Sequence, residues 1–302
     1  MKRKPGSSST PFWKPKDYIL RDVTLFIISM SLLKHLPNFI IVGSMKSGTT
    51  SLHHWLMNSP FIAMSKAETH FFNREERFER GPDEYLRALP VAKNDQLVGD
   101  DTPTYSYLDY IPERIVSMVP NVKILWILRD PLDRAVSQYW HAVRGGSEFR
   151  GINQAFADEL SGMTLNIWHK YIERSIYERQ INRYLKFFDV SNLCFVNFNK
   201  FAQGEPDEKK KVSDFLGIPE IKEEVPRSNE TKFWPREEVV SLLSWFPVPS
   251  RIKKKARYFF SYSRKQIPSL NPDLRSIAYE RLKEENSNIE QLVGFNVWKP
   301  SR

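Results

Sequence analysis

A lysine inside a glycine loop, an arginine at a strand end with a serine eight residues on, and a glutamate two residues from a histidine are the groups in this chain whose types and spacing could do chemistry. The loop is IIVGSMKSGTTSLHHWL, residues 40–56. Gly43 and Gly48 keep the four-residue interval of a nucleotide-phosphate loop, in which a lysine and a hydroxyl residue normally follow the second glycine and the hydroxyl holds Mg²⁺. Here the lysine is Lys46, inside the loop, and Thr49 and Thr50 follow Gly48. The amides of residues 44–50 can point at an anion, and the start of the following helix adds partial positive charge. Lys46 would neutralise a phosphate oxygen, while Ser47, Thr49, Thr50 and Ser51 supply hydroxyl donors around Gly48. The cradle is kept and the metal arrangement is not.

The second group is RDPLDRAVSQYWH. Arg129 ends an apolar strand and Ser137 lies on the helix that follows, so a turn at Asp130-Pro131 brings a guanidinium and a hydroxyl round one anionic group, with the guanidinium able to bind two oxygens at once. The simpler alternative is that Arg129 only pairs with Asp133. The third group is SKAETHFFNR, where Glu68 and His70 precede two phenylalanines that can anchor the loop in a core. A carboxylate so placed suits general-base work toward a hydroxyl. Glu68 is the better candidate, and His70 a second base or a substrate contact.

Elements must carry these groups. NFIIVG (38–43) reads as a strand buried on both faces, running through the glycine loop into a helix over 49–58. QLVGD ends a second strand at Asp100, a helix follows over 111–118, and NVKILWIL is the strongest buried strand, leading into a helix over 132–143. A helix over 172–188 precedes the strand NLCFVNF, and a last helix spans 272–292. This alternation predicts an α/β, P-loop-like three-layer fold: a central parallel sheet, right-handed crossovers and helices on both faces. Ligands then belong at the carboxyl ends of the strands. Residues 1–16 read as a disordered basic lead and 17–302 as a single domain. Residues 237–265, apolar and basic by turns with two prolines, read as an insertion or lid.

With 45 Lys+Arg against 36 Asp+Glu the net charge is +9, which favours anionic partners: nucleotide, acidic glycan, acidic carrier protein or membrane surface. No nucleic-acid module of the usual spacing is present, so no nucleic-acid partner is expected. One cysteine, Cys194, cannot form an internal disulfide, and a reducing, cytoplasmic compartment is the simpler reading. The six histidines show no metal-ligand spacing, so no metal is expected. TLFIISMSLL (24–33) is far short of the about 20 residues a membrane span needs. A helix packed on the domain is expected there, with peripheral membrane attachment as the alternative.

Taken together the motifs FIIVGSMKSGTTSL, ETHFFN, GDDTPTYSY, ILRDPLDRAVSQYWH and SIYERQINRYLKFF, in that order from Leu36 to about Lys200, resemble the sulfotransferases that use 3′-phosphoadenosine 5′-phosphosulfate (PAPS), in the branch similar to heparan sulfate sulfotransferases and their bacterial relatives. The resemblance implies that Lys46 to Ser51 hold the 5′-phosphosulfate and that Arg129 and Ser137 bind the 3′-phosphate. It implies Glu68 as base, and acceptor contacts from the GDDTPTYSY motif, namely Asp101, Thr102 and Tyr105, and from Tyr177. Two departures stand out. The heparan-modifying branch often has lysine in the slot of Asp101, which weighs against a highly sulfated acceptor. The donor-covering C-terminal segment has its nearest equivalent in RSNETKFWP, with Arg227 and Lys232 as phosphate contacts.

The implied reaction is transfer of a sulfuryl group from PAPS to a hydroxyl, releasing adenosine 3′,5′-bisphosphate (PAP), with no metal. A carbohydrate hydroxyl is the expected acceptor; a lipid, small metabolite or carrier-bound hydroxyacyl chain is the alternative. Two rivals from other classes are an ATP- and Mg²⁺-dependent phosphotransferase using Asp100, and a non-catalytic nucleotide-binding module.

Overall fold

The computed structural model describes residues 36–93, 95–226, 233–263 and 266–299. The basic lead, the segment 24–33, Arg227 and Lys232 lie outside the described residues.

Five strands form one parallel sheet: β1 (Phe39–Gly43), β2 (Ile62–Met64), β3 (Leu97–Asp101), β4 (Lys123–Leu128) and β5 (Leu193–Asn197), in the order β2-β3-β1-β4-β5. Every residue of β1 and β5 is buried, as the unbroken apolar runs predict for strands covered on both faces. Period-two alternation sends Ile40, Val42, Ile124 and Trp126 into one core, and Phe39, Ile41, Leu125 and Ile127 into the other. The helices that cover these faces are α1 (Thr49–Leu56), α2 (Pro82–Ala88), α3 (Ile111–Met118), α4 (Pro131–Gly145), α5 (Ile152–Leu160), α6 (Tyr177–Tyr184) and α7 (Pro206–Leu216). Leu52 and Trp55 of α1 and Val212 of α7 seal one layer. Ile111 and Ile115 of α3, Tyr139 of α4 and Tyr184 of α6 seal the other. The three-layer α/β fold read from the sequence is therefore the fold observed.

β1 has β3 on one side and β4 on the other, so the chain leaves the sheet's centre in opposite directions. That topological switch opens a crevice beyond the carboxyl end of β1. The loops after β1, β3 and β4 meet there.

Three expected helices differ. The helix expected over 49–58 ends at Leu56. The one expected over 172–188 is a 3-10 turn, Glu173–Ser175, followed by α6, because Ile176 takes a non-helical ψ of 82°. The last helix stops at Glu285 (α10, Pro272–Glu285). There Asn286 leaves helical geometry as its amide donates to the Ser175 carbonyl at 3.2 Å and its Oδ1 accepts from the Glu178 amide at 3.1 Å. Within the expected insertion, α8 (Glu237–Ser244) and α9 (Ser250–Phe259) form a helical hairpin. Its base is closed by β6 (Trp234–Pro235) pairing antiparallel with β7 (Ser261–Tyr262). Buried Glu237 ties it to α4, accepting from the hydroxyls of Tyr139 at 2.5 Å and Tyr262 at 2.9 Å.

Candidate active site

The glycine loop leaves β1 under tight packing. A side chain on Gly43 would meet Ser106 Oγ at 2.5 Å, and one on Gly48, whose φ is +99°, would meet the Phe198 ring at 2.7 Å. Only glycine lets the loop pass both points. Between them Lys46 has φ +70°, a conformation costly for a residue with a β-carbon and typical of functional turns. The Ser44 amide donates to the Ile127 carbonyl at 2.9 Å and the Trp126 indole donates to Ser44 Oγ at 2.8 Å, so the loop is tied to β4. Arg134 of α4, with no solvent exposure, donates to the Met45 carbonyl at 3.2 Å. α1 then begins at Thr49, its first turn carrying Thr50 and Ser51.

Lys46 lies among like charges. Burial, then the charges of Arg144 and Arg129, lower its ammonium to about 8. Arg129 stands at the end of β4 with its guanidinium 5.1 Å from the Phe198 ring centre; among the described residues its one ion pair is a long one, 3.8 Å to Asp133, and its buried Nε has no hydrogen-bond partner. Arg144 keeps one buried terminal nitrogen without a partner among the described residues. Ser137, His141 and Arg144 sit at i, i+4 and i+7 of α4, a single stripe. The His141 imidazole is lowered to about 4, chiefly because neighbouring protein withdraws it from water, then by the charges of Lys46 and Arg144. Three cations, Lys46, Arg129 and Arg144, thus converge beside the glycine loop, with one long ion pair, Arg129 to Asp133, among the described residues. Such a cluster repels itself until an anion enters.

Glu68 and His70 form a pair across the crevice, Oε2 to Nε2 at 3.2 Å, with the Glu68 side chain half exposed. His70 has φ +49° and its Nδ1 is 3.3 Å from Asn73 Oδ1. The anchor is Thr69, whose amide donates to Thr102 Oγ1 at 3.1 Å and whose hydroxyl donates to Asp100 at 2.9 Å. Phe71 and Phe72 turn fully into the core, Phe71 stacked on Tyr85 at 4.6 Å. The two aromatics hold the loop and leave Glu68 on the open side. Glu68 and His141 are close enough to influence one another electrostatically, which brings the carboxylate to the same crevice as Lys46.

Beneath this pair lies a second one that the sequence reading missed. His53 Nδ1 is 3.2 Å from Asp101 Oδ2, both nearly buried. Asp101 is raised by burial, against the hydrogen bond from His53. Also missed were His141, Arg144 and Arg174. Arg174, 3% exposed, is held between the Tyr107 and Trp168 rings at 4.3 and 5.2 Å with two nitrogens unpartnered, one contact reaching Met45. The one signal available for the first two was the helical spacing from Ser137.

The expected acceptor contacts need correction. Thr102, Tyr105 and Tyr177 have no solvent exposure. Thr102 and Tyr105 are spent on the Glu68 loop, Tyr105 OH accepting from the Phe72 amide at 3.2 Å. The Tyr177 hydroxyl lies by Ser47 and donates to the Arg129 carbonyl at 2.9 Å. All three stand behind the site and position it. Asp101 faces His53 rather than an acceptor. Asp100, the carboxylate offered to a metal in the phosphotransferase reading, is fully buried and accepts from Thr69 and Tyr85, each at 2.9 Å. Among the described residues no group of three or more His, Cys, Asp or Glu could hold a metal ion, and no helix is long and apolar enough to cross a membrane.

A parallel sheet with a glycine loop at its switch point, a cation cluster beside that loop and a carboxylate across from it define the class of P-loop-like α/β proteins with an anion-accepting crevice. The model of the sulfotransferase domain family matches residues 36–233, and the chain belongs to that family. Heparan sulfate glucosamine 3-O-sulfotransferase 5 of Homo sapiens is 29% identical over 191 residues, 62% of this chain and 55% of the relative. The 3B1 enzyme of the same series and organism is 29% identical over 189 residues, 62% of this chain and 48% of the relative. The chain thus spans about half the length of these curated relatives. A solved sulfotransferase from Alicyclobacillus acidocaldarius superposes with a TM-score of 0.63 at 24% identity, covering 86% of this chain and 97% of that one. A mouse sulfotransferase, SULT7A1, complexed with PAP, gives 0.50 at 15% identity over 88% and 92%. These two share the fold.

Proposed function

We propose that the protein transfers a sulfuryl group from PAPS to an acceptor hydroxyl, most fittingly one on a carbohydrate chain, as the names of its heparan sulfate relatives suggest. The observation that carries this reading is the convergence of Lys46, Arg129 and Arg144, with a single long ion pair to Asp133 among the described residues, on a glycine loop whose lysine sits inside it. A donor carrying one phosphate at each end of its ribose meets both requirements. The loop amides, Lys46 and the hydroxyls of Ser47 to Ser51 would hold the 5′-phosphosulfate, and Arg129 with Ser137 the 3′-phosphate.

Glu68 takes the proton of the acceptor hydroxyl as its oxygen bonds to sulfur, and His70 orients the carboxylate through their 3.2 Å contact. The bond from sulfur to the bridging oxygen breaks, and Lys46 stabilises the charge left on PAP. A preorganised cation aimed at the departing oxygen does the work a metal does in phosphoryl transfer. Arg227 and Lys232, outside the described residues, are proposed as further phosphate contacts. Titration calorimetry with PAP, and in parallel with ATP and Mg²⁺, tests the reading: binding of PAP without metal and in preference to ATP is expected, and the reverse preference would replace it with a phosphotransferase.

A further inference from the structure

The hairpin α8–α9 carries a surface that sulfuryl transfer does not require. Trp245 and Phe246 at its tip are 83% and 51% exposed, and Phe259 and Phe260 at the far end of α9 are 81% and 52% exposed. Leu242 and Ile252 are exposed beside them. Helical spacing puts Ile252, Lys255 and Phe259 on one outward stripe of α9, while Ala256 and Arg257 turn inward. The charge is one-sided. From Val239 to Pro272 the sequence holds Arg251, Lys253, Lys254, Lys255, Arg257, Arg264 and Lys265 and no carboxylate.

The tip is built with few backbone donors to desolvate. It reads Trp-Phe-Pro-Val-Pro, residues 245–249. The amide of Trp245 donates to the Leu242 carbonyl at 3.2 Å and that of Val248 to the Phe246 carbonyl at 2.8 Å, while Pro247 and Pro249 have no amide hydrogen. Burying this turn in an apolar medium therefore strands little polar backbone. The hairpin is also firmly based. β6 and β7 close it, Glu237 is bonded to Tyr139, and Arg257 donates to the Gly145 carbonyl at 3.3 Å at the end of α4.

We propose that this hairpin docks the protein on an anionic lipid surface, with Trp245, Phe246 and Phe259 entering the interface and the lysines of α9 meeting the headgroups. Aromatic side chains beside a run of cations are the composition of an interfacial element. A soluble polyanion, such as an acidic polypeptide or a sulfated glycan, would use the cations and gain nothing from exposed tryptophan and phenylalanine at the tip. The inference stands on the hairpin alone and does not rest on the donor chemistry.

Sedimentation with vesicles of phosphatidylcholine, with and without phosphatidylglycerol, tests it on the full chain. The wild-type protein should pellet with the phosphatidylglycerol vesicles. Lys253→Gln, Lys254→Gln and Lys255→Gln together should cut the partition on the order of a hundredfold, each cation near an anionic surface being worth about a factor of five. Trp245→Ser with Phe246→Ser should reduce it at least as clearly, and brominated lipid should quench fluorescence that Trp245→Phe removes. Unchanged circular dichroism shows that each variant folds. Failure of the wild type to pellet, or pelleting indifferent to the Trp245 and Phe246 changes, overturns the proposal; the second result would reduce it to attraction by charge alone, with no entry of the tip into the interface.

Discussion

The guanidinium of Arg134 donates to the carbonyl of Met45 at 3.2 Å, so a side chain with no solvent exposure holds the backbone immediately before Lys46. The same group donates to Ser175 Oγ at 2.6 Å, Gln138 Oε1 at 2.7 Å and the Tyr171 carbonyl at 2.5 Å. Lys46 can keep its left-handed backbone because its neighbour is fixed from below. Arg134→Lys retains the charge and loses the fork, leaving at least one of these four acceptors without a donor and the others poorly reached. A loss of about 3 kcal/mol in unfolding free energy is expected, since hydrogen bonds to a charged group are worth about 1.5–3 kcal/mol each. Urea denaturation measures it, and an unchanged midpoint would show that the loop holds its shape without Arg134.

Lys46 carries a pH signature. Burial and the Arg144 and Arg129 charges lower it to about 8, so the empty site begins to lose that charge in mildly alkaline solution. A bound bisphosphate favours the ammonium, so above pH 8 binding must take up a proton and PAP affinity falls as pH rises. Lys46→Arg, charged throughout this range, should flatten the profile between pH 8 and 10, and calorimetry in buffers of different ionisation enthalpy should count the proton. Lys46→Ala should lower turnover about 10²–10³-fold, as loss of one preorganised donor does. Near-normal turnover would remove Lys46 from the transfer step.

Glu68 and Arg129 should separate transfer from binding. Glu68→Gln keeps size and hydrogen bonding but cannot take a proton, so sulfuryl transfer should be lost while PAP affinity stays. Arg129→Ala removes a guanidinium that, among the described residues, makes one long ion pair, 3.8 Å to Asp133, so folding should be little affected and PAP affinity should drop. The comparison ligand is adenosine 5′-phosphate, whose affinity should change much less. Equal losses for both ligands would place Arg129 away from the 3′-phosphate.

Lys46, Arg129 and Glu68 stand out in the sequence as candidates because each belongs to a local pattern: a glycine interval, a strand end, an aromatic pair. The His53–Asp101 contact was not, for it joins residues 48 positions apart that meet only because β3 lies beside β1. His141 and Arg144 lie one and two turns beyond Ser137 on a stripe that the sequence displays, yet nothing local separates such a stripe from a solvated face. Thr102, Tyr105 and Tyr177 were read as acceptor contacts because motif membership does not say which way a side chain points. The sheet was legible from its buried runs, apart from β2, whose three residues are too few to show a period. Asn286 ended a helix through contacts with Ser175 and Glu178, which no periodicity contains.

Asp100 should set a pH dependence of stability. Burial pushes its carboxyl up to about 7, against hydrogen bonds from Thr69 and Tyr85 that pull it down. Unfolded, it would titrate near 4. Between these values the folded state holds a proton that the unfolded chain has released, so this group's contribution to stability falls as pH rises from about 4 to 7 and is constant above. Asp100→Asn offers an acceptor oxygen to Tyr85 and Thr69 without titrating. The difference in unfolding free energy between variant and wild type should move in the variant's favour across that window. A difference independent of pH would show that Asp100 ionises as freely inside the fold as outside it.

Gly48 is where the loop has least freedom. Its φ of +99° is strained for any residue with a β-carbon, and that carbon would stand 2.7 Å from the Phe198 ring, which in turn lies 5.1 Å from the Arg129 guanidinium. Gly48→Ala therefore combines a backbone penalty of about 1–2 kcal/mol with a clash that must move either the loop or the ring. If the ring moves, Arg129 loses its support. The expected result is lower stability together with weaker PAP binding. Phe198→Ala on the Gly48→Ala background removes the clash and leaves the backbone strain, so it should recover part of the stability without restoring PAP affinity. Full recovery of both would mean that sterics at Phe198, and not the left-handed turn, dictate glycine at this position.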